Sequence, residues 1–303
     1  KAGGIVELSF DLSFVVLQLL NGLTNAMFIF LIASGLSIIF GVLGILNFAH
    51  GSLYMLGAYM TYQCVSLFVD SPGQFWWAVI AASVAVALLG GIIERLLLRR
   101  LYHHVELNQL LFTYALVLIL SDLARLIWGV DQLSVSRPAI LRGAVEILGQ
   151  YFPKYNVFVL FLGPCVAFLF WFFMLRTRWG RMVRAAALDR ETLGALGVNV
   201  DRLFTVVFII GSWLGALGGA LVAPVITIRP GMDVEVIINA FIVVVIGGLG
   251  SFWGTFLGAL IVGPVYALGI LVFPRLSMIF IYVIMVVVLM TRPWGLLGRP
   301  LQR

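Results

Sequence analysis

Residues 176–202 read RTRWGRMVRAAALDRETLGALGVNVDR, and their polarity orders everything around them. Six arginines stand here against Asp189, Glu191 and Asp201, in a chain that is otherwise almost wholly apolar. Several guanidinium groups are costly to carry through hydrocarbon, so an arginine-rich loop of a membrane protein stays on the cytosolic side. Within it, Arg184 to Leu196 is expected to form one short helix: Ala185, Ala186 and Ala187 favour it, and Leu188, Leu193 and Leu196 give it an apolar edge. Gly197 is placed to end it. Too short to span a bilayer, such a helix suits a groove on a soluble partner. On composition alone, a linker helix resting on lipid headgroups is the slightly more economical reading.

The chain has 303 residues, 62% of them hydrophobic and 11% charged, with a mean hydropathy of +1.12. A water-soluble domain carries about a quarter charged residues, so this chain has too few to cover a wet surface. Its apolar segments are long enough for helices rather than the short alternating strands of a barrel, so the expected fold is an all-α, polytopic transmembrane bundle of about eight to ten spans. The whole chain, 1–303, reads as one domain, with 176–202 as its cytosolic loop. The net charge of +6 does not point to nucleic acid, because the basic residues lie scattered over short loops. Cys64 and Cys165 lie far apart in apolar runs and read as small core residues, not metal ligands. No cleavable signal peptide is read in Lys1 to Asp11, and the missing initiator Met suggests a trimmed or tagged start.

The first apolar run, Phe14 to Leu46, exceeds the roughly 20 residues that cross a bilayer, so it must tilt, break or include a re-entrant piece, with Gly35, Gly41 and Gly44 as break points. Further spans are expected at 52–69, 75–93, 110–128, 156–175, 203–226, 236–246, 255–272 and 276–291. A turn falls at Asp70 to Gln74, a long polar connection at Gly129 to Tyr155, and joints at Gly247 to Gly254 and Phe273 to Arg275. With the arginine loop inside, alternation also places Arg95 to Arg100 and Arg292 to Arg303 inside, collecting twelve of nineteen basic residues. The N-terminus is then outside and the C-terminus inside.

A weak echo links Gly41-Val-Leu-Gly44, Gly51-Ser-Leu and Leu56-Gly-Ala58 to Gly247-Gly-Leu-Gly250, Gly254-Thr-Phe and Leu257-Gly-Ala259. Transporters are often built from such repeats, although glycine-rich membrane helices also resemble one another by chance. Gly211, Gly215 and Gly219 make two GxxxG steps, and Gly254 with Gly258 makes another; these are expected to be helix-packing faces. Asn47, His50 and Gly51 interrupt an apolar stretch, where they either form a turn with hydrogen-bonding side chains or line a substrate path. Asp122 and Arg125, three apart, are expected to pair within the bundle, and Asn239 to bond a neighbouring helix. His50, His103 and His104 form no catalytic or metal-binding constellation, so no catalytic residue and no metal site is expected.

Three stretches carry a family likeness: GVLGILNFAHGSLYMLGAY (Gly41 to Tyr59), RAAALDRETLGALGVNVDRLFTVVFIIGSWLGALGGAL (Arg184 to Leu221) and VVIGGLGSFWGTFLGALIVG (Val244 to Gly263). They resemble the permease subunits of branched-chain amino acid ATP-binding cassette importers, a family that also serves urea, amides and aromatic acids. The resemblance runs along nearly the whole chain. It implies that Arg184 to Asn199 is the coupling helix docked on a cytosolic ATPase subunit, carried by Arg184, Ala185, Asp189, Gly197 and Asn199; Leu193 and Leu196, from the apolar edge read above, are then expected to contact that subunit. It also implies a second, homologous permease subunit, a periplasmic substrate-binding protein, a place in the bacterial cytoplasmic membrane, and no cofactor in this chain, since ATP and Mg would be held by the partner subunits. The Glu-Ala-Ala triplet of importer loops more widely is absent, Arg184 holding its first place.

Two other accounts compete. An ion-coupled secondary transporter would hold intramembrane carboxylates, and Asp122 is the only one read as lying well inside a span. A passive small-solute channel would need no coupling loop.

Overall fold

The computed structural model describes residues 12–68, 73–102, 104–272 and 274–298. His103, most of the turn at Asp70 to Gln74, Phe273, and the stretches Lys1 to Asp11 and 299–303 lie outside the described residues. Helices take the places of the nine expected runs: α1 (Leu12–Leu43), α2 (His50–Leu67), α3 (Gln74–Leu96), α4 (Glu106–Trp128), α5 (Lys154–Arg176), then, after α6 (Arg178–Leu188) and α7 (Arg190–Ala195), α8 (Val200–Val222), α9 (Met232–Gly247), α10 (Phe252–Val272) and α11 (Ser277–Thr291). Among the described residues, six of these helices (α1, α3, α4, α5, α8 and α10) are long and apolar enough to cross a membrane.

The first run is one unbroken helix. Gly35 and Gly41 do not break it; α1 ends at Leu43, and Gly44 turns the chain with φ +73°. Glycine weakens a helix by exposing its backbone to water, a cost that disappears where neighbouring helices cover it. Here Gly35 faces the backbone of Gly211 in α8. At 1.5 Å per residue the 32 residues of α1 reach about 48 Å, against about 30 Å of hydrocarbon, so the helix tilts or protrudes.

α1 is the axis of the bundle, packed by α8, α10, α9 and α5. Phe30, fully buried, meets Phe252 and Phe256 edge-on, with ring centroids 5.5 and 5.0 Å away. Gly211 opposes Ile39 while Gly218 opposes Leu31, so α1 and α8 run antiparallel. α10 also opposes α1, with Gly22 against Pro264 and Ala267. The outer faces of α4, α5 and α11 expose Leu, Ile, Val and Phe, as lipid contact requires.

The connection from Gly129 to Tyr155 is not only loop. β1 (Ala144–Ile147) and β2 (Gln150–Pro153) pair antiparallel, with Ala144 opposite Pro153 and Ile147 opposite Gln150. Their two-residue turn, Leu148-Gly149, has both φ angles positive (52° and 78°), the mirror-image turn that matches strand twist. The strands are too short and too exposed to announce themselves by alternation. Leu133 bridges to Ile228, tying this connection to the segment after α8.

At the opposite end, the chain after α11 folds back. Leu296 and Leu297 donate their backbone N–H groups to the carbonyls of Ile246 and Gly247, each at 2.9 Å, satisfying acceptors that the end of α9 would otherwise leave bare. Arg99, beyond α3, lies within 3.9 Å of the Asp201 carboxylate at the start of α8. The basic ends of α3 and the α6–α7 segment therefore share one face of the bundle.

Candidate functional site

The arginine loop folds as two helices, not as the single helix expected over Arg184 to Leu196. The break is at Asp189, whose backbone is extended (φ −154°, ψ 100°). Its Oδ1 accepts from the backbone N–H groups of Glu191 and Thr192, each at 3.0 Å, and its Oδ2 accepts from the Thr192 hydroxyl at 2.5 Å. A carboxylate that can cap a helix competes with the helix running through it, and here the cap wins. These hydrogen bonds, those from Thr192 first, hold the Asp189 carboxyl below the usual carboxylate range. Thr177 caps α6 through Gly180 N–H at 3.0 Å, and Asn199 caps α8 through Arg202 N–H at 2.9 Å. Gly197 ends α7 in the left-handed region (φ +86°), which lets Val198 N–H return to the Leu193 carbonyl.

The apolar edge divides. Leu193 is buried, packed in the cluster of Val183, Leu203 and Phe204 that seats the loop on the bundle. It is not available to a partner, which corrects its expected role as an outward contact: the break at Asp189 turns α7 so that Leu193 points inward. Leu196 and Leu188 are 76% and 79% exposed. Arg184 is exposed and donates to the Met174 carbonyl at the end of α5; Ala185 is half-buried. The segment thus exposes Leu188 and Leu196, together with Arg190, Glu191 and Thr192.

Asn47, His50 and Gly51 come together where α1, α2, α8 and α9 meet, and all three are buried. The His50 ring reaches the Ile32 carbonyl through Nε2 at 3.1 Å, and a Cβ on either Gly35 or Gly215 would lie 2.9 Å from that nitrogen. Gly51 lets α9 approach, since a Cβ there would lie 2.8 Å from Ile237 Cβ and run into the Asp233 carbonyl. The Asn47 side chain makes no hydrogen bond, so the turn is held instead by its backbone carbonyl, which accepts from His50 N–H at 3.2 Å. Gly219 packs on the α2 backbone at Tyr54, and Gly211 on Gly35. Gly254 and Gly258 of α10 lie against the backbone of α9 at Gly247 and Val243.

Sequence reasoning missed two buried carboxylates. Asp233 of α9, 1% exposed, accepts from Ser52 Oγ at 2.9 Å through Oδ2, and its Oδ1 has no partner. Glu94 of α3, fully buried, accepts from the Tyr102 hydroxyl and the Thr205 hydroxyl, both at 2.6 Å, and Arg99 Nε lies 3.7 Å away. Burial, then the bond to Glu94, raises the Tyr102 phenol above its ordinary range. Asp233 precedes the expected start of its span at Val236, and Glu94-Arg95 reads as the solvated end of a helix, so neither carboxylate signals its burial in the sequence. Asp122 and Arg125 do pair, at 3.1 Å, but on the exposed side of α4 and not within the bundle. Among the described residues, Asn239, half-buried in mid-α9, makes no side-chain hydrogen bond to a neighbouring helix.

A model of the family described as the branched-chain amino acid transport system permease component matches residues 18–289. The chain belongs to that family. This permease is similar to the high-affinity branched-chain amino acid transport system permease protein BraD of Pseudomonas aeruginosa, at 32% identity over 93% of its own length and 95% of the relative's. It is 27% identical, over the same shares, to the high-affinity branched-chain amino acid transport system permease protein LivH of Escherichia coli K12. A shorter likeness, 35% identity over 130 residues covering 41% of the permease and 35% of the relative, joins it to the fructose import permease protein FrcC of Rhizobium meliloti. No solved structure matches. With Asp233 and Glu94 buried, the scarcity of intramembrane carboxylates no longer argues against an ion-coupled transporter; membership of the permease family does.

Proposed function

We propose that this chain is one transmembrane permease subunit of an ATP-driven importer for branched-chain amino acids, and that α6 and α7 are where cytosolic ATP-binding cassette subunits grip it. The observation that carries the coupling is the exposure of Leu188 and Leu196, 79% and 76%, in a segment that also exposes Arg190 and Glu191. Exposed leucines among charged residues, on a segment seated by Leu193, are what a groove on a soluble partner can hold. In this reading the loop is cytosolic, the N-terminus periplasmic and the C-terminus cytoplasmic. A second permease chain completes the pathway, a periplasmic binding protein delivers the substrate, and ATP and Mg²⁺ reside on the ATPase subunits. The permease itself supplies no catalytic group.

ATP-driven closure of the ATPase subunits would favour one of two packed arrangements of the permease through α6 and α7. The substrate class rests on the relatives' names and on an apolar interior that suits a solute with no net charge.

The test is ATP-driven leucine uptake by vesicles containing the whole transporter, with its binding protein, for the variants Leu188→Asp and Leu196→Asp. Uptake should fall at least tenfold with the amount of permease in the membrane unchanged. Undiminished uptake in both variants would sink the coupling assignment. Leu193→Asp serves as the contrast: it should lower the amount of folded permease, because it buries a charge in an apolar cluster.

A further inference from the structure

Two hollows that the transport reading does not use lie along one face of α8. The lower, about 430 Å³, is walled by Arg95, Arg99, Asp201, Arg202, Thr205 and the half-exposed Trp179. Arg99 is held by Glu94 and Asp201, but among the described residues the side chains of Arg95 and Arg202 make no ion pair. The upper, about 260 Å³ and almost wholly apolar, lies between α5 and α8 and is walled by Leu169, Phe170, Phe173, Ile210 and Trp213.

The helix geometry joins them. At 100° per residue, Arg202, Val206 and Trp213 fall within about 40° of one another, with Ile210 beside them, so one stripe of α8 runs from the basic hollow into the apolar one. That stripe lies between the side of α8 covered by α3, where Gly90 meets Ser212, and the side turned to α5, where Ile210 and Leu214 face Phe173. From Arg202 to Trp213 the rise is about 16 Å, close to the depth of one leaflet's hydrocarbon, about half of 30 Å.

We infer that this stripe is a binding site for an anionic phospholipid, with the phosphate between Arg95 and Arg202, the glycerol against Trp179, and an acyl chain laid along Val206 and Ile210 into the apolar hollow. Two guanidinium groups without an ion pair at one end of a stripe that leads to an apolar hollow complement a phosphodiester carrying a hydrocarbon tail. Guanidinium holds phosphate through paired N–H donors, and tryptophan favours the level of the headgroups. The inference requires only that the chain lie in a membrane, so it stands or falls separately from the coupling assignment.

Native mass spectrometry of the full-length chain in detergent, titrated with phosphatidylglycerol or with phosphatidylcholine of the same acyl chains, tests it. The wild type should retain one phosphatidylglycerol in preference to phosphatidylcholine by roughly thirtyfold, about one kcal/mol for each arginine. Arg95→Gln with Arg202→Gln should abolish the preference. Ile210→Trp, which fills the channel and leaves the arginines alone, should weaken both lipids. Glycerol 3-phosphate should not compete. Equal retention of the two lipids by the wild type, or an undiminished preference in the double variant, would overturn the site. Displacement by glycerol 3-phosphate would make it a site for free phosphate esters, and loss of the lipid when the second permease joins would make it a subunit interface; either also refutes it.

Discussion

Gly41 at the end of α1 and Gly250 in the turn between α9 and α10 meet backbone to backbone: a Cβ on Gly41 would lie 2.9 Å from the Gly250 Cα, and one on Gly250 would lie 3.0 Å from the Gly41 Cα. The two stretches that echo each other in sequence therefore touch in space, each as a glycine-rich turn between two helices. Neither backbone can retreat, because α1 and α10 are packed along their lengths. Gly41→Leu should therefore destabilise the permease by about 3 kcal/mol or more, the upper range for overpacking. The measurement is the midpoint of thermal unfolding in detergent, and an unshifted midpoint would show that the turns separate freely.

His50 gives a sharper version of the same test. A methyl group at position 215 collides with its ring, so Gly215→Ala alone should cost about 1–3 kcal/mol. His50→Ala leaves a cavity and an unbonded Ile32 carbonyl, with a cost of similar size. Because the new methyl occupies the space that the ring vacates, the double variant should be more stable than the two single effects predict, by at least 1 kcal/mol. Additive effects would mean that ring and helix do not compete for that space. Gly215 also serves packing within this chain, so its substitution should lower folded yield even when no partner subunit is present.

Glu94 ties the end of α3 to the start of α8, accepting from Tyr102 and Thr205 beside Arg99. Glu94→Ala would strand the Tyr102 hydroxyl, leave the Thr205 hydroxyl only the Asp201 carbonyl, and leave Arg99 with Thr205 and the largely exposed Asp201. A loss of about 3 kcal/mol follows from removing one side of a buried charged network. Glu94→Gln keeps an acceptor and should lose less than half of that. Unfolding midpoints of the two variants, compared in the same detergent, decide the point; equal losses would mean that the charge, not the hydrogen bonds, holds the joint.

Asp189 makes the α6–α7 break sensitive to acid. Its carboxyl is depressed in the folded loop, so its cap is fully present above the ordinary aspartate value of about 4 and is lost as pH falls through the lower folded value. Hydrogen-exchange protection of the Glu191 and Thr192 amides, corrected for intrinsic rates, should stay flat from neutrality to about pH 4 and decline below it. In Asp189→Asn that decline should disappear, since an amide oxygen caps without titrating. The same acid-dependent loss in the Asn variant would assign it to another group.

Most of the bundle was legible because membrane helices are written in long apolar runs: nine runs became nine helices, and the charge count put the basic ends of α3 and the arginine loop on the face where Arg99 reaches Asp201. What escaped depended on contacts. Gly35 reads as a breaker in isolation and becomes a seat once Gly211 lies against it. Asp189 reads as one more polar residue on a helix face until its side chain is seen to cap the next turn. Leu193 and Leu196 are alike in sequence, but α7 holds Leu193 inward while its end at Ala195, before the left-handed Gly197, leaves Leu196 out. Asp233 and Glu94 lie near helix ends, where a carboxylate is ordinarily wet, and only tertiary packing removes their water.

The histidine clamped between Gly35 and Gly215 also limits how this protein can move. With the ring filling the space that both glycines leave open, and with Gly211 and Gly219 resting on neighbouring backbones, α1, α2 and α8 have no slack in which to slide past one another. Opening a passage would then require this trio to swing as a single body, with the give taken up at the looser outer helices or at the boundary with another subunit.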